Sequence, residues 1–489
     1  MRFQITALMA ALALLMPVRA AALPDSNTIE FSNCVLGMPG TTLTATAQCG
    51  SLDVPEDPDQ PDGRQISLNI AYAKATSTEV APDPVFIFAG GPGQAATETW
   101  VMLRGTLGKI RRNRDIVMID QRGTGGSNKL DCPPLEEEID LNREIDLEQV
   151  RRQTEQCAAN LDGDPRFYTT THGMRDYDTV RRAMGYEQIN LLGISYGTRS
   201  AQVYLRMFPD TVRTVTLDSV LPMQLALGQE HAPMLDRAVN EVFRDCREDA
   251  DCNRLFPTSK IELQALLESL RDQPRSIVIT NPTSGKKQQI LFTAETLAVA
   301  VRFLSYSSES QAVLPLLLHE AVTTGDLSRL ASQAILVMGG LTETLARGME
   351  LSVMCAEDYP FLDLEEDQED TIIGNVFLEV VQLSCEAWPS GRAPHGFHEP
   401  VRSDVPVLLV SGQRDPVTPP HYAARVAETF PNSIKLVARG QSHSVLRHVC
   451  LRDIAGEFIE AGKVEGLDTS CVDDIRPSPF FTSLLGPRP

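Results

Sequence analysis

The segment Gly193-Ile194-Ser195-Tyr196-Gly197 fits the pattern G-x-S-x-G. It stands where a strand-like run, Ile189–Ile194 (INLLGI), gives way to a helix-like one, Tyr196–Phe208. In that context a sharp strand-to-helix turn pushes the serine hydroxyl out at the top of a sheet. Glycines on either side remove side chains that would collide in the turn. The helix N-terminus adds unpaired N–H groups and partial positive charge beside the hydroxyl. A serine so placed can attack a carbonyl carbon. At neutral pH it is a poor nucleophile, so it needs a base, and the base needs an acid to orient it.

With the nucleophile on such a turn, the partners follow in the order acid, then histidine. Val405–Val410 (VPVLLV) runs into Ser411-Gly412-Gln413-Arg414-Asp415-Pro416, which puts Asp415 in a turn just past a strand end. Asp404 and the acidic stretch Asp363–Asp370 (DLEEDQED) lack that setting, and the stretch reads as a solvated face or loop. Of the eight histidines, His421, His443 and His448 follow Asp415. His421 is too close to Asp415 in sequence. His443, in a loop after the last strand-like run Ile434–Val437, is the expected base, with His448 one turn further in reserve.

Acyl transfer also develops charge on the carbonyl oxygen, which needs N–H donors already aimed at it. Tyr196, the residue after the nucleophile, is expected to supply one. Ala89-Gly90-Gly91-Pro92-Gly93-Gln94, directly after the strand-like Val85–Phe88, is expected to supply the other from Gly91. A phosphate-cradling loop would need Gly-Lys-Ser/Thr or G-x-G-x-x-G here, and neither is present.

These residues need a scaffold. Val85–Phe88 (VFIF), Ile116–Ile119 (IVMI), Ile189–Ile194, Val212–Leu217 and Val405–Val410 are short apolar runs suited to strands buried on both faces. Ile66–Ala73 alternates, as a half-buried strand does. Helical stretches such as Asp176–Met184 and Tyr196–Phe208 separate several of them, which predicts an α/β fold with a mostly parallel sheet. Between about Met223 and Asp404 the alternation lapses into helices: Gln229–Cys246, Lys260–Arg271, Ala294–Ser305, Glu309–Thr323 and Leu327–Met338. One hairpin interrupts them, Ser276–Thr280 with Gln289–Phe292. The expected division is 1–22 signal peptide, 23–222 core, 223–403 helical lid insertion and 404–489 core again.

The chain has 489 residues, with 44 Lys and Arg against 65 Asp and Glu, a net charge of −21. Its 42% hydrophobic and 22% charged residues are those of a folded globular protein. The acidic balance argues against nucleic-acid binding, which needs a basic face. Met1–Arg2, the apolar Ile5–Val18 and the small residues Ala20–Ala22 form the pattern of a cleavable secretory signal. The apolar run is too short to span a hydrocarbon core of about 30 Å, so no stable membrane insertion is expected after cleavage. Ten cysteines in such a chain suggest disulfides in an oxidising compartment, secreted or periplasmic. They fall as five neighbouring couples: 34–49, 132–157, 246–252, 355–385 and 450–471. Sequence leaves other connectivities open. A zinc site is not supported, since no Cys-x-x-Cys pair occurs.

Gly90–Gly93 (GGPG), Asp120–Gly125 (DQRGTG), Gly193–Thr198 (GISYGT) and Ser411–Pro416 (SGQRDP) together resemble the tripeptidyl aminopeptidase and proline iminopeptidase branch of secreted α/β-hydrolases. Cys49–Pro55 (CGSLDVP) and Cys385–Pro389 (CEAWP) resemble its tripeptidyl aminopeptidase-like half. The resemblance implies an α/β-hydrolase fold and a serine exopeptidase acting on peptide N-termini, with Ser195, Asp415 and His443 as the triad and no cofactor or metal. Ala89 departs from the histidine that usually opens the proline iminopeptidase loop. The expected substrates are short peptides or small esters and amides, and the alternative activity is a carboxylesterase with the same triad. A binding protein without activity would have no need of an intact Ser-Asp-His order. An epoxide hydrolase or dehalogenase would carry Asp in place of Ser195. An aminopeptidase must also hold an ammonium, and Glu357 in Cys355-Ala356-Glu357-Asp358 is the candidate anchor. Arg122 is expected to pair with an acid beneath the active-site loops.

Overall fold

The structure, a computed structural model, describes residues 29–132, 146–282 and 284–488. The expected signal peptide lies outside the described residues. The strands are β1 (Ser32–Gly37), β2 (Thr44–Pro55), β3 (Gln65–Ala73), β4 (Val85–Phe88), β5 (Ile116–Ile119), β6 (Ile189–Ile194), β7 (Val212–Asp218), β8 (Arg275–Thr280), β9 (Lys287–Phe292), β10 (Val407–Gly412) and β11 (Ser433–Ala438). Nine of them form one sheet in the order β1-β2-β3-β5-β4-β6-β7-β10-β11. The pairs from β1 to β5 are antiparallel and the rest are parallel. This is the α/β-hydrolase fold.

The short apolar strands are buried on both faces because helices cover both. Phe86 and Phe88 of β4 pack into one apolar layer, and Val85 and Ile87 into the opposite one. The first layer includes residues of α3 (Thr170–Ala183), α4 (Tyr196–Met207) and α13 (Pro420–Ala427), the second those of α1 (Ala96–Leu103) and α14 (Val449–Ala461), while α2 (Leu147–Asn160) brings Cys157 into a smaller apolar cluster. The hairpin β1–β2 was not anticipated: β1 is half-exposed and lacks a sustained apolar pattern. β10 begins two residues later than the apolar run suggests, because Pro406 has no N–H to give the ladder.

Between β7 and β10 the described residues run through α5 (His231–Glu248), α6 (Ala250–Leu255), α7 (Ser259–Asp272), the hairpin β8–β9, α8 (Ala294–Leu304), α9 (Ser308–Thr324), α10 (Ser328–Thr344), α11 (Arg347–Val353) and α12 (Val376–Ala387). Leu235, Leu267, Phe292, Leu297 and Leu314 belong to an apolar core that this segment builds for itself. The disulfides are Cys34–Cys49, Cys132–Cys157, Cys246–Cys252, Cys355–Cys385 and Cys450–Cys471. Among the described residues no helix is long and apolar enough to cross a membrane.

Candidate active site

Ser195 follows β6, Asp415 follows β10 and His443 follows β11. Because β6, β7, β10 and β11 are adjacent and parallel, all three side chains come from loops at the same, C-terminal edge of the sheet. Ser195 sits at φ 56° and ψ −125°, a conformation that costs an L-residue about 1–3 kcal/mol and persists only where the surroundings impose it. The surroundings are tight. A Cβ on Gly193 would lie 2.4 Å from the Gly197 carbonyl oxygen, and one on Gly197 would lie 2.0 Å from that of Phe88. Both positions must therefore be glycine for the turn to close. The Ser195 N–H is held by the Asp218 carbonyl at 2.9 Å.

Asp415 is fully buried and His443 nearly so. The Asp415 carboxylate accepts from the Val417 N–H (2.9 Å), the Thr418 N–H (2.8 Å), the Thr418 hydroxyl (2.8 Å) and His443 Nδ1 (2.9 Å). Donation from Nδ1 leaves Nε2 as the lone-pair nitrogen of a neutral ring. Burial works against ionising Asp415, but the neighbouring His443 and these bonds outweigh it and lower its pKa. Burial likewise works against the imidazolium. The charge and hydrogen bond of Asp415, with the charge of Asp218, overcome it and raise His443 above its ordinary value. The pair thus favours the charged state that a base reaches after taking a proton.

Tyr196 is the first residue of α4, so its N–H has no acceptor within the helix. The Gly90–Gly91 peptide lies against the nucleophile: a Cβ on Gly90 would stand 3.3 Å from that of Ser195. Gly91 and Gly93 have φ of 103° and 108°, a region that favours glycine. The helical segment braces this loop, since the Ala346 N–H donates to the Gly93 carbonyl at 3.0 Å. It also reaches the other two loops. Arg237 of α5 donates to the Asp415 carbonyl at 2.8 Å, and the Tyr306 carbonyl accepts the His443 N–H at 3.3 Å. The Tyr306 ring meets His443 edge-on at 5.3 Å.

Glu357 is the expected ammonium anchor. The structure buries it fully, and its two oxygens accept from the Thr170 N–H and hydroxyl, each at 2.6 Å. Thr170 in turn bonds the Tyr196 hydroxyl at 2.6 Å. Burial, with Asp358 beside it, pushes the Glu357 pKa up to about 8 despite the Thr170 bonds. The adjacent Arg199 is paired with Asp358 at 2.7 Å. The Glu357 carboxyl is thus buried behind the nucleophile turn and engaged there by Thr170. Arg122 does pair with an acid: it grips both oxygens of Asp176 at 2.7 Å and donates to the carbonyls of Glu56 (2.7 Å) and Phe167 (3.1 Å).

Sequence reasoning missed Thr418, Asp218 and Tyr306. Thr418 stands three residues after Asp415, where an Asp side chain commonly bonds a following backbone N–H, as it does here, so it had a local signal. The other two had none.

A family model described as TAP-like protein matches residues 370–471. The serine protease Hip1 of Mycobacterium tuberculosis (strain ATCC 25618 / H37Rv) is 26% identical over 463 residues, covering 86% of this chain and 85% of its own. The tripeptidyl aminopeptidase of Streptomyces lividans is 23% identical over 496 residues, covering 94% of this chain and 89% of its own. Carboxylesterase B of Mycobacterium tuberculosis (strain CDC 1551 / Oshkosh) is 29% identical over 241 residues, 46% of each chain. The resemblance to the TAP-like branch of α/β-hydrolases is borne out by these likenesses.

Proposed function

We propose that this chain, a serine hydrolase of α/β-hydrolase fold, is a secreted or periplasmic aminopeptidase that releases residues or short peptides from the N-termini of peptides. The observation that carries the reading is the junction of a strained Ser195 turn with a buried Asp415–His443 pair on adjacent strand ends. In the proposed cycle Ser195 Oγ attacks the scissile carbonyl while His443 Nε2 takes its proton. Asp415 holds the ring and stabilises the imidazolium. The N–H groups of Tyr196 and Gly91 receive the oxyanion. His443 then protonates the departing amine, leaving an ester on Ser195. Water, deprotonated by His443, hydrolyses that ester and restores the serine. Five disulfides support an oxidising compartment, and the printed name of the Streptomyces relative supports the aminopeptidase reading.

A second reading is a carboxylesterase. It is favoured by the burial of Glu357, whose carboxyl is engaged by Thr170. One experiment separates the two. Anilides of single amino acids, dipeptides and tripeptides are offered with and without N-acetylation, beside short-chain nitrophenyl esters, with Ser195→Ala as the blank. Cleavage of free-amine anilides that is lost on acetylation and in the variant supports the aminopeptidase. Turnover of esters alone sinks it.

A further inference from the structure

We infer that Asp218 is a positioning residue that sets the spacing between nucleophile and base, its main chain holding Ser195 and its side chain holding the loop that carries His443. The inference rests on the Ser195–His443–Asp415 assignment proposed above, and holds for peptide and ester substrates alike.

Asp218 ends β7, the strand between the one that leads to Ser195 and the one that leads to Asp415. Its carbonyl accepts the Ser195 N–H at 2.9 Å. Its carboxylate holds the loop that follows β11. Oδ1 accepts the Val445 N–H at 2.9 Å and Oδ2 the Leu446 N–H at 3.1 Å. The next residue, Ser219, accepts the Ser444 N–H on its hydroxyl at 2.8 Å, and its own N–H donates to the Val410 carbonyl of β10 at 2.9 Å. Three consecutive N–H groups directly after His443 are thus tied to the last residue of β7 and the residue that follows it.

Those three N–H groups open a single 3₁₀ turn, Val445–Arg447, and have no acceptor inside it. Ser444 and Ser219 both adopt positive φ, 61° and 60°. Neither would hold that backbone unaided. Bonds to an ionised carboxylate are about twice as strong as neutral ones, and Asp218 is only 1% exposed, so no water replaces it. The latch fixes the direction in which the chain leaves His443, while Asp415 fixes the ring from Nδ1. A misplacement of about 1 Å between reacting groups costs on the order of a hundredfold in rate.

Asp218 also acts on His443 through its charge. The titratable and charged groups around the imidazole are Asp415 from the loop after β10, Asp218 from β7, Arg447 from the 3₁₀ turn, His231 from α5 and Tyr306, whose ring meets it edge-on from the segment between α8 and α9. Both aspartates favour the imidazolium and Arg447 opposes it. Burial pushes Asp218 itself up to about 6, against the pull of the Leu446 and Val445 N–H groups and of His443, so it carries its charge above that pH.

The test uses the mature protein with Asp218→Asn, which keeps the shape but removes the charge and turns an amide N–H₂ toward one backbone donor. Three readouts are taken: the rate of Ser195 labelling by a fluorophosphonate, kcat and KM on the best substrate across pH, and the melting temperature. The expected result is a loss of roughly a hundredfold in labelling rate and kcat, with KM within about threefold. The midpoint of the acid limb of kcat/KM moves to lower pH. Labelling and kcat within threefold of wild type would overturn the inference. So would a rate loss accompanied by no movement of the acid midpoint, since a purely structural role predicts that. If Asp218→Asn fails to fold, Ser219→Ala keeps the Asp218 charge and removes the Ser444 acceptor together with the 3.5 Å bond from the Ser219 hydroxyl to Asp218. It is expected to slow labelling by roughly tenfold, and an unchanged rate overturns the inference. Failure of the triad assignment is read separately, as labelling or turnover that survives Ser195→Ala.

Discussion

Glu357→Gln tests whether Glu357 is a buried neutral brace or a substrate anchor. The carboxyl is wholly buried, its ordinary pKa of 4.5 is raised to about 8, and the nearby Arg199 is committed to Asp358. Below pH 4.5 the folded and unfolded chains both hold the proton. Between 4.5 and 8 the unfolded chain releases it while the folded chain keeps it. The folded state then binds more protons, and stability falls as pH rises. Above 8 both are ionised and the loss is complete. At about 1.4 kcal/mol per pH unit, the window from pH 5 to pH 8 is worth up to about 4 kcal/mol. Glutamine mimics the protonated acid and should abolish this component. Buried Asp218 and Glu98, with pKa values of about 6 and about 7, titrate alike in both proteins and cancel in the difference. The assay is urea unfolding of both proteins with disulfides intact at pH 5, 6, 7 and 8. The stability of wild type relative to the variant should decline steadily across that range. A difference constant to within about 1 kcal/mol would refute the argument from burial. Kinetics supply the second arm. KM for free-amine anilides should stay within about threefold, whereas a tenfold rise confined to free amines would return Glu357 to the role of anchor.

Asp415→Asn should fold, because the amide oxygen can still accept from backbone, yet lower kcat by about 10⁴ by upsetting the His443 tautomer; fluorophosphonate labelling at wild-type speed would contradict the assignment. Gly197→Ala should destabilise the protein by more than 3 kcal/mol, since its methyl would stand 2.0 Å from the Phe88 carbonyl oxygen, and a melting temperature within a few degrees of wild type would show the turn to be more pliant than its geometry. Replacing Cys355 and Cys385 together by serine opens a loop of 30 residues and should cost about 3.5 kcal/mol of stability on chain-entropy grounds, read as a lower urea midpoint with little change in KM.

The parts of this molecule that were legible in the sequence are those whose cause is local. β4, β5 and β6 are continuous apolar runs because a parallel sheet is covered on both faces, and the structure has them at Val85–Phe88, Ile116–Ile119 and Ile189–Ile194. Ser195 was legible because its two glycines are demanded by the closeness of the turn. Asp415 and His443 could be picked out because loops past strand ends are where such chemistry must emerge. β1 escaped notice because a half-exposed edge strand needs no apolar pattern.

What depends on distant parts of the chain was decided only by tertiary structure. Asp218 and Val445 are 227 residues apart in sequence, and no spacing rule connects them; only the adjacency of β7, β10 and β11 brings a carboxylate to the loop after His443. Glu357 carries the same residue type that a surface acid or a substrate anchor would carry. Its protonation is set by how much water packing removes and by which neighbour claims Arg199, and desolvation is a property of the folded interior rather than of any residue in it. The residue types and their order along the chain therefore determined which chemistry is possible here, because that chemistry is written in side chains. The fold decided which of those side chains face a substrate and which hold the others in place, because proximity and burial exist only once the chain has closed on itself.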